Sequence, residues 1–217
     1  MIRAVVFDFD GVLADSEPLH LASYQQVFSS MGVTLTREDY YKHYLGYDDE
    51  GVFRAIGRAH GWTMSDEQVA ALIAEKSRVF DEIIAGGNVL YPGAADCVAR
   101  LAGTFPLGIA SGALKSEIQT ILAGARLDPF FRFIVGSGDT PRSKPAPDPY
   151  VRAAQLHGQP PGACVAIEDS RWGIVSAKSA GMKCVGITTT YPASELEAAD
   201  AIITSLEEFT AELIRGL

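Results

Sequence analysis

The chain has 217 residues, 47% of them apolar and 21% charged, which is the composition of an ordinary globular protein with room for one substantial core and a smaller satellite. A formal charge of −9 argues against nucleic acid or an acidic membrane as a partner, since both call for a basic surface, and means that an anionic substrate must be drawn in by local cations. No apolar run approaches the roughly 20 residues of a membrane span, and the first strand begins too early to leave room for a signal peptide. Cys97, Cys164 and Cys184 are odd in number, lack metal-ligand spacing and have apolar neighbours, which predicts reduced core thiols in a cytoplasmic protein.

The first predicted element is the apolar run Ala4–Phe9, which ends in two carboxylates one residue apart, Asp8 and Asp10, within "VVFDFDGV". Burying an isolated carboxylate is very unfavourable, so the pair needs either a cation or a hydrated turn. From about Ser16 to Asn88 the periodicity is helical throughout. Ser16 is placed to cap a helix reaching Met31, and Thr36 with Asp39 opens a second. Ser65-Asp66-Glu67-Gln68 forms a capping box before a long pattern, Val69–Ile84, that ends in Gly86-Gly87. Trp62 and the cluster Tyr40, Tyr41 and Tyr44 read as the core of this insert, and Tyr91-Pro92-Gly93 marks the return of the chain. Beyond it, apolar runs at Leu107–Ala110, Phe133–Val135, Cys164–Ile167, Cys184–Ile187 and Ala201–Ile203 alternate with amphipathic stretches such as Leu114–Leu122, Pro149–Leu156 and Gly173–Ala180. The alternation predicts an α/β fold with a doubly wound, Rossmann-like parallel sheet, its core formed by residues 1–15 and 89–217, and an all-helical cap domain over 16–88.

Ligands of such sheets bind outside the carboxyl ends of the strands. The groups expected there are Asp8 and Asp10, Ser111-Gly112, Lys144 in "SKPAPDP", and Glu168-Asp169. Their chemistry suits phosphoryl transfer. Carboxylates from two strands can hold Mg²⁺, a neighbouring carboxylate can attack phosphorus, and a hydroxyl, backbone N–H groups and an ammonium can hold the phosphoryl oxygens. A second carboxylate two residues from the nucleophile can move the proton. Each residue also has a plainer reading. Asp8 and Asp10 can be a hydrated strand end, Ser111 a helix cap, Lys144 a solvated side chain, and Glu168-Asp169 a cap of the next helix.

The segments "DFDGVLADSE", "IASG", "SKPAPDPY" and "IEDSRWGIVSAKSAGM", in this order, resemble the four motifs of the haloacid dehalogenase (HAD) superfamily. Within it the chain resembles, over essentially its whole length, the β-phosphoglucomutase and phosphoglycolate phosphatase branch, which carries a helical cap after the first motif. The resemblance implies Asp8 as nucleophile and metal ligand, and Asp10 as general acid and base with its backbone carbonyl on Mg²⁺. It implies Ser111 and Lys144 as phosphate-binding residues beside the Gly112 backbone, Asp169 as a direct metal ligand, and Glu168 as one acting mainly through water. The presence of Asp10 favours phosphate-ester chemistry over dehalogenation. In the cap the resemblance points to His20 and to Lys76 in "AEKSRVF" as substrate-facing, with Arg78 beside it; a helix histidine and a solvated helix face are the alternatives. Where phosphosugar mutases of this branch carry an arginine for a second phosphate, "GYDDEGV" offers Tyr47, Asp48 and Asp49, an acidic segment that should repel a bisphosphate, although Asp48 can equally cap a helix.

The function these readings imply is a Mg²⁺-dependent phosphatase of a small phosphorylated metabolite, a phosphosugar or a phosphoglycolate-like ester, working through an aspartyl phosphate. A phosphosugar mutase is the alternative that shares every core residue. A phospho-aspartate receiver domain is the alternative of another class, against which stand the helical insert and a nucleophile after the first strand. The expected partner is a small-molecule phosphate ester, with no nucleic acid or membrane; nothing in the sequence sets an oligomeric state, and a monomer is the default expectation.

Overall fold

The first strand, β1 (Ala4–Phe7), is buried along its whole length, as a strand must be when both faces of a parallel sheet are covered. The computed structural model describes residues 1–84 and 89–217, so the Gly86-Gly87 helix stop expected above lies outside the described residues. After β1 come α1 (Glu17–Ser30), α2 (Arg37–His43), α3 (Asp49–Ala59) and α4 (Asp66–Ile84). They are followed by α5 (Ala94–Ala102), β2 (Leu107–Ala110), α6 (Lys115–Gly124), β3 (Phe131–Val135), α7 (Asp148–His157) and β4 (Cys164–Glu168). The chain closes with α8 (Arg171–Ser179), β5 (Lys183–Ile187), β6 (Ala201–Ile203) and α9 (Ala211–Gly216).

The chain divides into two compact units, Met1–Asp15 with Val89–Leu217, and Ser16–Asn88. In the first, six parallel strands lie in the order β3-β2-β1-β4-β5-β6. The chain therefore winds outward from β1 in one direction through β2 and β3, and in the other through β4, β5 and β6. The reversal falls between β1 and β4, where Val6 lies opposite Ala166 and Phe7 opposite Ile167. The doubly wound α/β sheet expected from the sequence is the fold that forms. The segments that leave and re-enter this unit are stitched together, Asp15 N–H to Val89 O at 2.8 Å and Tyr91 N–H to Leu13 O at 2.9 Å.

Several boundaries differ from the sequence reading for identifiable reasons. The first strand stops at Phe7 rather than Phe9, because the Phe9 carbonyl accepts the N–H groups of Val12, Leu13 and Ala14 in a turn that Gly11, at φ 74°, completes. Strand β3 begins two residues before the expected Phe133, and a register shift between Leu107 and Ile109 accommodates the extra length. Helices α5 and α9 had no counterpart among the expected stretches.

The second unit has its own apolar core, in which Leu21, Tyr24, Phe28, Tyr40, Phe53, Ile56 and Val79 are buried, with Tyr41, Tyr44 and Trp62 packed against them. Its helix starts follow elementary capping rules. Thr36 Oγ1 accepts the Asp39 N–H at 3.0 Å, and Asp48 Oδ1 the Gly51 N–H at 2.8 Å. Ser65 and Gln68 form the reciprocal box, Ser65 N–H to Gln68 Oε1 at 2.8 Å and Gln68 N–H to Ser65 Oγ at 3.3 Å. Ser16 differs: it occupies the cap position of α1 in a helical conformation, buried, and its hydroxyl makes no capping bond. All three cysteines are free and buried, and among the described residues no helix is long and apolar enough to cross a membrane.

One polar residue sits awkwardly in the core of the first unit. His157, in the last turn of α7, is buried in a T-shaped contact with the Phe133 ring, centroids 4.6 Å apart, and neither ring nitrogen makes a hydrogen bond of regular geometry. The space exists because Gly108 has no side chain; a Cβ there would lie 2.3 Å from Phe133 and 3.0 Å from His157 Nε2. Burial pushes the His157 pKa below the ordinary histidine value, with Arg132 adding to the effect and the Val5 backbone opposing it. The folded protein therefore holds the imidazole neutral, while the unfolded chain takes up a proton near pH 6.5, so stability falls as pH drops below that value. In urea titrations between pH 7 and 5, His157→Leu is expected to lose less stability on acidification than the wild type. Parallel curves for the two proteins would contradict this account.

Candidate active site

The switch between β1 and β4 brings the ends of these strands side by side, and the Asp8 N–H donates to Ile167 O at 3.0 Å. Asp8 follows β1 directly, and its Oδ1 accepts the Phe9 N–H at 2.7 Å and Lys144 Nζ at 2.9 Å. Lys144, from the loop between β3 and α7, also reaches Glu168 Oε1 at 2.6 Å. Tyr150 donates its hydroxyl to that same oxygen at 2.5 Å, and Ser170 Oγ lies 3.4 Å from the other. Asp8, Glu168 and Asp169 each offer an oxygen within 4.8 Å of the others, and all three are buried.

Three carboxylates against one ammonium leave an excess of negative charge out of water, and the titration of the groups reflects it. Burial, reinforced by the Asp8 charge, pushes both Glu168 and Asp169 above the usual carboxylate range. Burial alone would lower the Lys144 ammonium, but Asp8 and Glu168 outweigh it and hold Lys144 above its ordinary value. A compact set of hard oxygen donors with uncompensated charge fits a small divalent cation such as Mg²⁺. Lys144 and Tyr150 both donate to Glu168 Oε1, and Lys144 and the Phe9 N–H both donate to Asp8 Oδ1, which leaves the second oxygen of each carboxylate clear of these donors.

Strand β2 delivers Ser111. Its hydroxyl accepts the Ala113 N–H at 3.1 Å and lies 3.4 Å from Asp10 Oδ2, so it joins the strand-end cluster to the second aspartate. It does not cap α6, whose cap position is held by Leu114 without a side-chain bond. Gly112 has open space where a Cβ would stand, which leaves its backbone approachable. The plainer reading of Glu168-Asp169 as a helix cap does not hold either, since Ser170 caps α8 through the Gly173 N–H at 3.1 Å.

The cap-domain candidates belong to a different cluster, internal to the second unit. Lys76 is fully buried, with Nζ 2.7 Å from His20 Nδ1 and 3.1 Å from Asp49 Oδ1. Its ammonium lies 5.4 Å from the centroid of the Tyr24 ring and 4.8 Å from that of Phe80, while the His20 ring stacks on Phe80 at 4.4 Å. Tyr24 donates to Asp49 Oδ1 at 2.5 Å, and burial together with Asp49 raises its pKa. Asp49 is thus the counter-ion of Lys76, Asp48 caps α3, and Tyr47 is exposed. Arg78 lies on the solvated face between Glu75 and Glu82.

Sequence reasoning missed Tyr150, which stands inside the motif "SKPAPDPY" but reads as a core aromatic of α7. It also missed Gly11, the Thr189 hydroxyl that donates to the Gly11 carbonyl, and Thr190, whose side chain bonds Asp169. The run "TTTYP" carries no signal of its own for such a role.

The sequence pattern of the haloacid dehalogenase-like hydrolases matches residues 5–187. The chain belongs to this family. Protein CbbY of Rhodobacter capsulatus is 32% identical over 224 residues, covering 100% of this chain and 99% of that protein. The phosphoglycolate phosphatase of Escherichia coli (strain K12) is 28% identical, over 98% of this chain and 92% of that protein. Among solved structures, a variant of CbbY from Rhodobacter sphaeroides in complex with xylulose 1,5-bisphosphate superposes with a TM-score of 0.86 at 27% identity, covering 96% of each chain. The protein is thus a HAD-like hydrolase of the branch that includes CbbY and phosphoglycolate phosphatase.

In this HAD-like site Gly11 has a strict steric role. A Cβ at Gly11 would lie 1.9 Å from Asp169 Oδ2 and 2.7 Å from Thr190 Oγ1, and the backbone is at positive φ. Gly11→Ala is expected to lower unfolding free energy by about 1–3 kcal/mol, measured by urea denaturation, since both the backbone and the displaced carboxylate are strained. A fully stable Gly11→Ala protein would show that the strand-end turn can relax.

Proposed function

We propose that this HAD-like hydrolase is a Mg²⁺-dependent phosphatase of small phosphorylated metabolites that works through an aspartyl phosphate, with Asp8 as nucleophile. The observation that carries the reading is the Lys144 ammonium held at 2.9 Å from Asp8 Oδ1, directly beside a carboxylate that has a second aspartate, Asp10, two residues on. A cation locked beside a carboxylate is what an incoming phosphoryl group requires of its anchor and its nucleophile.

Both protein donors of Asp8 lie on Oδ1, so Oδ2 is the oxygen with lone pairs open for attack. As the Asp8 oxygen forms its bond to phosphorus, the bond from phosphorus to the ester oxygen breaks, and Asp10 gives its carboxyl proton to that leaving oxygen. Water then attacks phosphorus, Asp10 takes its proton, and the bond to Asp8 breaks, releasing phosphate and restoring both aspartates. Ser111, 3.4 Å from Asp10, and the Gly112 backbone are placed to hold phosphoryl oxygens together with Lys144. Mg²⁺ bound by Asp8, the Asp10 backbone carbonyl and Asp169, with Glu168 acting through water, would supply neutralising charge for those oxygens.

The names of the relatives point to the same substrate class, phosphoglycolate in one and a xylulose bisphosphate in the other, both small phosphate esters. In the cap, the sequence-based proposal of His20 and Lys76 as substrate-facing residues meets a pair already engaged with each other and with Asp49, so the steps above assign them no part. Three buried free thiols suit a reducing compartment such as the cytoplasm. Hydrolysis of p-nitrophenyl phosphate should require Mg²⁺ and fall by about a thousand-fold or more in Asp8→Asn, with circular dichroism unchanged. Appreciable turnover by purified Asp8→Asn would rule out the nucleophile assignment, and phosphate moved to a sugar instead of released to water would favour a mutase.

A further inference from the structure

Tyr150 has no part in the steps above, yet its position is costly unless it does something. It is the third residue of α7, fully buried, and packed in the apolar cluster that includes Ala4, Val6, Ala166 and Ile174. A phenylalanine would fill that volume without bringing a hydroxyl into an apolar interior, and a buried hydroxyl is unfavourable without a partner. The partner is Glu168 Oε1 at 2.5 Å, the oxygen that also holds Lys144 Nζ at 2.6 Å. The face of the Tyr150 ring meets the other half of that ion pair, with Lys144 Nζ 5.2 Å from its centroid. One side chain thus touches the carboxylate with its hydroxyl and the ammonium with its ring.

Lys144 is shared between two competing carboxylates, Asp8 at 2.9 Å and Glu168 at 2.6 Å. Which one it favours depends on how well each is otherwise satisfied. Glu168 is 0% exposed, so solvent cannot replace a donor it loses. With the hydroxyl in place, Oε1 has two donors and its pull on the ammonium is moderated. Without it, Lys144 becomes the sole close donor to a buried charge and is drawn toward Glu168, away from Asp8.

We propose that Tyr150 is a positioning residue: by sharing Glu168 Oε1 with Lys144, it keeps the ammonium beside Asp8, where it can hold a phosphoryl group. The inference rests on the reading of Lys144 as the phosphate anchor. Tyr150 itself touches neither substrate nor reacting atoms.

The test uses Tyr150→Phe, which keeps the ring and removes only the hydroxyl, alone and combined with Glu168→Gln. Affinity for inorganic phosphate, measured calorimetrically in Mg²⁺ buffer, is expected to weaken about tenfold in Tyr150→Phe, with a similar fall in kcat for p-nitrophenyl phosphate. In the Glu168→Gln background the same change should have no further effect on phosphate affinity, because the hydroxyl acts only through the carboxylate. The double variant leaves no buried charge short of a donor, so its comparison with Glu168→Gln can be read even where Tyr150→Phe alone is too unstable to purify. Unchanged phosphate affinity in Tyr150→Phe, or an equal loss in both backgrounds, would overturn the proposal. A wild-type enzyme that binds phosphate but hydrolyses no ester would overturn the phosphatase reading alone, since the binding measurements still decide the role of Tyr150.

Discussion

The contact on which the site depends is the bridge from Lys144 to Asp8 and Glu168, because it is what allows three carboxylates to be buried at one end of a sheet. Without a cation there, the carboxylates would take up protons or the strand ends would move apart toward water. The bridge ties three parts of the chain: the end of β1, the end of β4, and the loop that leads into α7. Two of these are neighbours only because the strand order reverses between β1 and β4. Topology supplies the place, and the lysine makes it electrostatically tolerable.

The second unit repeats this logic with a different set of residues. Lys76 is fully buried, more deeply than Lys144, and again a carboxylate, Asp49, and aromatic faces compensate it. The difference lies in the carboxylates: among the described residues, the strand-end cluster is where Asp8, Glu168 and Asp169 bring three buried carboxylates within 4.8 Å of one another, the arrangement that calls for a cation.

The fold was legible because its signals are local and repeated. Short apolar runs alternating with amphipathic stretches dictate a parallel sheet, and the helical stretch between the first two strands has no strand pattern at all. Capping boxes at Ser65 and Thr36 read true because they involve residues three apart. The convergence of Asp8, Lys144 and Glu168 was legible because they are charged residues that the alternating pattern brings to one edge of the sheet. Tyr150, Asp49 and Thr190 were not legible, and the reason is the same for each. Their roles come from partners far along the chain, 18 residues between Tyr150 and Glu168 and 27 between Asp49 and Lys76, and nothing in a tyrosine or threonine announces such a partner. Ser16 and Ser111 show the opposite case. Both carry the residue type of a helix cap, yet neither hydroxyl caps a helix, and that of Ser111 accepts the Ala113 N–H instead.

Two glycines show that the site is shaped as much by missing side chains as by present ones. A Cβ on Gly11 would fall within 1.9 Å of Asp169 Oδ2, and one on Gly173 within 1.8 Å of Glu168 Oε2. Gly173 lies inside α8, where glycine costs about 1 kcal/mol relative to alanine. The helix carries that cost because its first turn is where the Glu168 carboxylate must fit. Both carboxylates therefore occupy volume that ordinary residues would fill, pressed against backbone rather than free in a cavity. Confinement of this kind restricts where the oxygens can go, so a cation arriving there finds them already gathered. The same two glycines also explain why neither motif can be judged from its acidic residues alone: the spacing from Asp8 to Gly11 and from Glu168 to Gly173 is what makes room for the charges to converge.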